Sequence, residues 1–221
     1  GIFNATGAPT AIGTVPLGSG ALRNLQGTNT VIGNVTIGAT NTSIDVAASS
    51  MLNIGGTGVL NFGTSLNTIK TGTGTLELAG TANNTLTTGG SFYVNEGTLS
   101  LNKSGTGVAI PNLMNLFVGD TIGGNDADKV IYGTAGSTNQ IGDTANVHVT
   151  SSGQFDMSAS AANDQVQNLI LGVGPTSSGD ILTGSRTLTA TGTITVIAQA
   201  GTTATSVGST INGTLALQSG T

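Results

Sequence analysis

The sequence predicts an all-β protein built as a parallel β-helix, a β-solenoid. Short segments in which apolar and polar residues alternate with period two recur along the chain, and each indicates a strand with one buried face. Their centres lie about 8 residues apart through Val35, Ile44, Leu52 and Leu60, a spacing typical of repeats. Charged residues make up only 7%, too few for the solvated surface of an ordinary sandwich. We expect a single segment, 1–221, of roughly nine or ten coils of about 20–25 residues each.

The predicted strands follow one another without a linker that would divide the chain. In chain order they are 31–37, 43–46, 51–54, 59–62, 75–78, 91–94, 98–101, 129–132, 145–150, 154–157, 168–171, 193–198 and 214–217. Their apolar residues are expected to fill a narrow core, for which we name Ile37, Ile54, Leu76, Leu78, Leu99, Leu101, Val130, Leu171 and Ile194. Segment 105–115 is expected to be a loop or a change of register, and 120–129 a protruding loop.

Glycines are expected at the corners between coil faces, where tight turns often need positive φ. Gly97, Gly153 and Gly213 each close a short polar segment beside a strand, and we assign them to corners. Thr and Asn at outward strand positions can form hydrogen-bonded ladders along the stack.

Composition excludes several classes of protein. Ten acidic residues against five basic ones give a net charge of −5, which argues against nucleic acid as a partner. No apolar run is long enough for a membrane helix, so we expect no membrane insertion by this segment. The absence of cysteine excludes a disulfide framework.

Residues 69–103 resemble the autotransporter-associated β-strand repeat of bacterial surface proteins. The residues that carry the resemblance are Lys70, Gly72, Gly74, Leu76, Leu78, Gly80, Asn83, Gly89, Gly90, Val94, Gly97, Leu99 and Leu101. Segments 139–143, 147–157, 167–171 and 182–197 are similar to the longer units in which that repeat is embedded. The resemblance implies a right-handed parallel β-helix, export to the bacterial cell surface, and a place in a large repetitive protein.

The two ends are expected to meet further coils. The chain begins at Gly1 and stops at Thr221, shortly after the last predicted strand, without a helix that would cap it. An uncapped terminal coil is an adhesive edge. The expected partners are therefore copies of the chain or flanking repeats, head to tail, together with surface glycans or neighbouring cells.

No residue pattern predicts catalysis or a cofactor. Most acidic residues lie alone in the sequence, and His148 is the sole histidine, which alternation places opposite two valines. Segment 123–128 resembles a single calcium-binding glycine-rich repeat, but tandem copies would be needed. We expect no metal site, and the candidate ligands for a hard cation are Asp126 and Asp128.

These observations favour a structural role over an enzymatic one. The predicted function is an extracellular β-helical rod of a bacterial surface fibre or adhesin. A glycan- or cell-binding adhesin module, with contacts around 119–128, remains an alternative. A β-helical polysaccharide lyase or hydrolase is the third hypothesis, and it requires several charged residues on one face.

Overall fold

The computed structural model describes residues 3–4, 20–136, 138–199 and 207–218, and these residues form strands and turns without a helix. The strands, in chain order, are β1 (Phe3–Asn4), β2 (Leu22–Asn24), β3 (Thr28–Val31), β4 (Val35–Thr36), β5 (Thr42–Val46), β6 (Met51–Ile54), β7 (Leu60–Asn61), β8 (Asn67–Thr71), β9 (Thr75–Gly80), β10 (Gly90–Val94), β11 (Gly97–Lys103), β12 (Met114–Val118), β13 (Asp128–Tyr132), β14 (Asn146–Val149), β15 (Gly153–Asp156), β16 (Asp164–Val166), β17 (Leu169–Val173), β18 (Asp180–Ala190), β19 (Ile194–Ala198) and β20 (Ile211–Leu217).

The strands stack into three faces. The first face runs β1-β2-β5-β8-β10-β12-β14-β17-β19. The second face runs from β3 through β6, β9, β11, β13 and β15 to the first halves of β18 and β20. The third face is narrower and consists of the β4–β7 pair, isolated bridges such as Ile110 to Ile141, and β16 with the second halves of β18 and β20. All pairings between successive coils are parallel, so the fold is a parallel β-helix, as predicted.

The register of the second face counts the coils. One inward column contains Asn29, Leu52, Leu76, Leu99, Val130, Phe155, Ile181 and Ile211. Neighbours in this column are 23–31 residues apart. The described residues therefore form eight coils rather than nine or ten, because several coils are longer than we predicted. At about 4.8 Å per coil, they make a rod roughly 38 Å long.

The core is a set of such inward columns, since every second residue of a strand points to the same side. Of the residues predicted to fill it, Ile37, Ile54, Leu76, Leu78, Leu99, Leu101, Val130 and Leu171 are buried. Ile194 is partly buried, because it lies in the last coil that the described residues form and none of them stacks a further coil on it.

Most predicted segments overlap a strand of the structure in both halves of the chain. Segment 51–54 coincides with β6, whereas 31–37 bends at Gly33 and belongs to both β3 and β4. Strands β1, β2, β8, β12, β16 and β18 have no counterpart among the predicted segments. Segment 105–115, expected to be a loop or a change of register, contains the Ile110 bridge and the first residues of β12.

The two ends of the stack differ. At the first coil, β1 pairs antiparallel with β2 and so covers that edge of the first face, contrary to our expectation of an uncapped end. At the last described coil, the inward side chains of Val196 and Leu217 are 58% and 75% exposed. The core is therefore open at the β19–β20 end of the described residues.

Candidate functional site

The corner between the first and second faces contains one residue that breaks the pattern of its neighbours. Gly97 pairs with Asp128, and Asp128 pairs with Gly153. The register places Gly74 and Gly179 in the same column. Gly97 has φ 70°, and a Cβ atom added to it would lie 2.7 Å from the carbonyl oxygen of Gly72. Asp128 is thus the one member of this five-residue column that is not glycine.

An insertion in the fifth coil makes room for this side chain. Leu99 and Val130 are register partners 31 residues apart, whereas the preceding partners, Leu76 and Leu99, are 23 residues apart. The extra residues form the corner loop, residues 119–127. Thr121 and Asp126 have φ values of 77° and 55° there, in the left-handed region that non-glycine residues rarely adopt.

Ser152 joins the corner loop to Asp128. Its hydroxyl donates to Oδ2 of Asp128 at 2.8 Å. The Oγ atom of Ser152 in turn accepts from the backbone N–H groups of Asp120 and Thr121 at 3.2 and 3.0 Å. One buried hydroxyl therefore fixes both the base of the loop and the carboxyl group.

A cavity of about 300 Å³ lies under the loop. Its lining includes the carboxylic side chains of Glu96, Asp120 and Asp128. Asp128 is only 2% exposed, and burial raises its pKa to about 6, with further upward contributions from the charges of Asp120 and Glu96 and an opposing hydrogen bond from Ser152. Asp128 can therefore take up a proton at mildly acidic pH.

A buried ammonium group lies on the other side of the same corner. Lys70 points inward between Ile44 and Val94 in a column of apolar residues. Its Nζ donates to the carbonyl oxygens of Thr71, Gly72 and Glu96 at 3.1, 2.5 and 2.8 Å. Burial lowers the pKa of Lys70 to about 8, against the raising effect of Asp45, Glu96 and Asp128. Lys70 thus holds two successive coils together through carbonyl groups that the corner turns inward.

The charged groups of this corner are all engaged within the protein. A general acid must lie within hydrogen-bond reach of the group it protonates, but Asp128 is enclosed and bonded to Ser152. Glu96 accepts from the backbone N–H of Gly72 at 2.7 Å. Lys70 is fully buried with three carbonyl acceptors. These hydrogen bonds hold the backbone of the corner in place.

One sequence prediction at this corner needs correction. Asp128 and Lys129 belong to β13 rather than to a protruding loop, and Asp128 is buried because strand alternation turns it inward with Val130. Asp126 lies in the corner loop, on a different element from Asp128. Within the described part of the chain, no three His, Asp or Glu side chains are grouped so that they could hold a metal ion.

His148 lies on the outer side of the first face, as alternation predicted, but it is not freely solvated. Its ring stacks on that of Phe117, with centroids 4.3 Å apart and planes at 25°. Burial lowers the pKa of His148, which keeps the ring neutral at pH 7.

The predicted corner glycines occupy three different settings. Gly97 begins β11 with positive φ, and Gly213 lies inside β20 with φ 125°. Gly153 begins β15, and a Cβ atom there would meet the carbonyl oxygen of Val118. Close approach of the neighbouring coil, rather than φ, therefore requires glycine at 153.

Sequence reasoning missed a second interior polar cluster beside the third face. Asp164 accepts hydrogen bonds from the Tyr132 hydroxyl at 2.7 Å and from the N–H groups of Gln140 and Ile141 at 2.9 and 3.2 Å. The Gln140 side chain bonds to both the N–H and the carbonyl group of Lys103. The available signal was the alternation in β11 and β13, which places Lys103 and Tyr132 on the inward side. Their polar side chains, however, favoured exposure to solvent.

We expect Asp128→Asn to stabilise the protein at pH 7. Since the folded pKa of about 6 exceeds the ordinary value of 3.8, the folded state binds the extra proton and stability falls as pH rises from 4 through 6. The amide cannot ionise, so its gain at pH 7 is about 1 kcal/mol, and the slope between pH 4 and 6 flattens. Urea unfolding at several pH values measures both the gain in stability at pH 7 and the slope of stability against pH. The control is Asp143→Asn, at an exposed residue. An unchanged slope in Asp128→Asn would contradict the assignment.

The fold is a β-solenoid, and the corner adds buried polar groups bonded to one another and to the backbone. Comparison with protein-family models, curated proteins and solved structures gives no match. The described residues contain no helix of the length and apolarity that crossing a membrane requires.

Proposed function

We propose that this chain is a structural rod of a bacterial surface fibre or adhesin, extended end to end by further coils. The observation that carries the proposal is the open core at the last described coil. Val196 and Leu217 occupy inward positions of the columns that contain Leu171 and Ala190. They are nevertheless largely exposed, so another coil stacked on β19 and β20 would bury them.

The first coil offers a surface that fits such a contact. A cavity of about 420 Å³ opens there, and its lining includes Leu22, Val31, Val35, Ile37 and Ile44. Since β1 already covers the first-face edge, an incoming coil would add to the second and third faces. Unlike ends that fit each other form open filaments rather than closed dimers.

Side-chain ladders along the axis support a mechanical role. Glu77 on the second face accepts from Asn102 at 2.8 Å and also bonds to Asn53, one coil away on either side. Such bonds join coils instead of facing solvent, as expected of a scaffold.

We expect wild-type protein to form elongated assemblies whose lengths are multiples of one unit. The double variant Val196→Asp, Leu217→Asp should shorten them, because a carboxylate would be buried at each joint. Negative-stain electron microscopy and sedimentation velocity measure the length. The control is Ile122→Asp in the corner loop, whose side chain is 71% exposed. Monodisperse single units of wild-type protein at all concentrations would overturn the proposal.

A binding module is the second candidate, favoured by the corner loop. The loop projects from an otherwise regular stack, and exposed Ile122 lies at the rim of the 300 Å³ cavity. Loops on a rigid scaffold commonly carry recognition. Binding of glycans or cells that is lost in Ile122→Asp, while assembly persists, would favour this function.

A further inference from the structure

The outer side of the first face contains a continuous apolar stripe. Its members, one from each of five successive coils, are Ile69, Tyr93, Phe117, His148 and Ile170. We call this row the outer stripe. All five side chains are half-buried rather than fully exposed. The rings of Tyr93 and Phe117 stack with centroids 4.7 Å apart and planes at 11°.

An amide ladder runs beside the outer stripe. Asn146 donates to Oδ1 of Asn115 at 2.9 Å, and Asn168 donates to Oδ1 of Asn146 at 2.8 Å. The hydroxyl of Thr193 donates to Oδ1 of Asn168 at 3.0 Å and so extends the ladder by one coil. The amide groups thus satisfy one another along the axis, and they give the outer stripe a polar border.

From β8 onward the outer side of this face is uncharged, and the ion pair of Arg23 with Asp45 lies in the earlier strands β2 and β5. From β8 to β19 the only ionisable side chains that point outward from its strands are those of Tyr93 and His148. The elements packed against His148, strands β12 and β17, present Asn115, Phe117 and Ile170 and no charged group. The chain as a whole has a net charge of −5, so its charges lie elsewhere. Two copies could therefore meet through this face without like-charge repulsion.

We infer that the first face is a lateral self-association surface on which the outer stripe of one copy packs against that of a second copy. The contact would be isologous, with the two stripes related by a two-fold axis. It does not depend on the end contact proposed above, because it uses a side of the rod.

A sugar is a poorer occupant than a second copy. Glycan recognition by aromatic residues uses exposed ring faces, but both faces of Phe117 are covered, by Tyr93 and by His148. Only ring edges point outward. The neighbouring amides are engaged in the ladder, so few groups remain free to bind hydroxyls.

The size of the face predicts a weak contact that strengthens with length. Six coils at about 4.8 Å and strands of about five residues at about 3.3 Å give roughly 475 Å² per copy. A pair of single units therefore buries on the order of 950 Å², in the range of weak, transient association. If units also join end to end, which rests on the proposed function, the lateral area grows with each unit and rods bundle.

Single-cysteine cross-linking tests the surface directly, because the chain has no cysteine of its own. We expect Asn115→Cys, on the amide ladder, to form disulfide-linked dimers under mild oxidation. Gln154→Cys, at an outward position of the second face, is the matched control. Equal cross-linking at both positions, or none at Asn115→Cys, would overturn the inference.

Charge insertion provides the second measurement. Tyr93→Lys with Ile170→Lys should weaken side-by-side dimerisation at least tenfold in sedimentation velocity, since facing ammonium groups repel each other. Ile131→Lys, at a half-buried outward position of the second face, should leave it unchanged. End-to-end length in micrographs should be the same in all three proteins, which separates the two contacts. If soluble oligosaccharides shift the His148 ring signals in NMR spectra and no dimer forms, the face binds glycans and the inference fails.

Discussion

Replacing Lys103 with Met is expected to raise the free energy of unfolding at pH 7 by up to roughly 3 kcal/mol. The side chain of Lys103 is fully buried, and its Nζ has no hydrogen-bond partner among the described residues. Burial lowers its pKa from 10.5 to about 8. At pH 7 the ammonium group is still charged, so the folded state carries the cost of an unpaired buried charge. Met has a similar shape and carries no charge.

The Lys103→Met substitution should also abolish the increase in the free energy of unfolding that the wild-type protein shows at alkaline pH. Between pH 8 and 10.5 the unfolded chain holds the Lys103 proton and the folded chain has lost it, so wild-type stability rises with pH in that interval. Lys70 contributes in the same direction in both proteins and cancels from their difference. Burial raises the pKa of Tyr132 well above 10, so unfolding is best measured from pH 7 to 9.5.

Lys129→Met is the matched control for this prediction. Lys129 lies on the outer side of the next coil, and its Nζ donates to Oε1 of Gln154 at 2.9 Å. A partly exposed pair of this kind contributes little, so the variant should change stability by at most about 0.5 kcal/mol at every pH. A destabilised Lys103→Met protein at pH 7 would show that the ammonium group has a partner that stabilises it.

The strands and the coil period could be predicted because one physical rule repeats along the chain. Leu76, Leu78, Leu99 and Leu101 alternate with polar residues, and stacking two coils buries all four. Alternation gives the face of each residue but not the length of a corner. The 31-residue step between Leu99 and Val130 therefore altered the coil count without changing the alternation.

The polar interior could not be predicted by the same rule. In β8, Thr68 and Lys70 point inward and Ile69 points outward. This is the reverse of the usual rule that the apolar residues of an alternating strand face the core. Burial is possible there because corner carbonyl groups solvate the ammonium group. Asp128 was assigned to solvent for a similar reason, since no sequence signal shows that Ser152 would lie beside it. A charged residue at an inward position near a strand end indicates a hydrogen-bond partner inside the protein. That partner can be identified only when the pairing of neighbouring coils is known.

We expect Asp164→Ala to lower the free energy of unfolding by about 4 kcal/mol, the largest loss among the substitutions considered. The carboxylate of Asp164 accepts from the hydroxyl of Tyr132 and from the N–H groups of Gln140, Ile141 and Gln165. Alanine leaves these donors without an acceptor, and an unsatisfied buried donor costs about 1–3 kcal/mol. The cluster also fixes the start of β16 against the preceding coil, so exchange of the Gln140 and Ile141 amide hydrogens should accelerate.

Tyr132→Phe separates the hydroxyl from the rest of the cluster. It removes a single donor and should cost about 1 kcal/mol. In the double variant the alanine no longer leaves a buried hydroxyl unpaired, so the combined loss should be smaller than the sum of the two single losses. Additive losses would mean that the 2.7 Å contact between Tyr132 and Asp164 contributes nothing. A loss below about 1 kcal/mol in Asp164→Ala would show that water or a backbone shift satisfies these donors, and the third face would then not depend on the carboxylate.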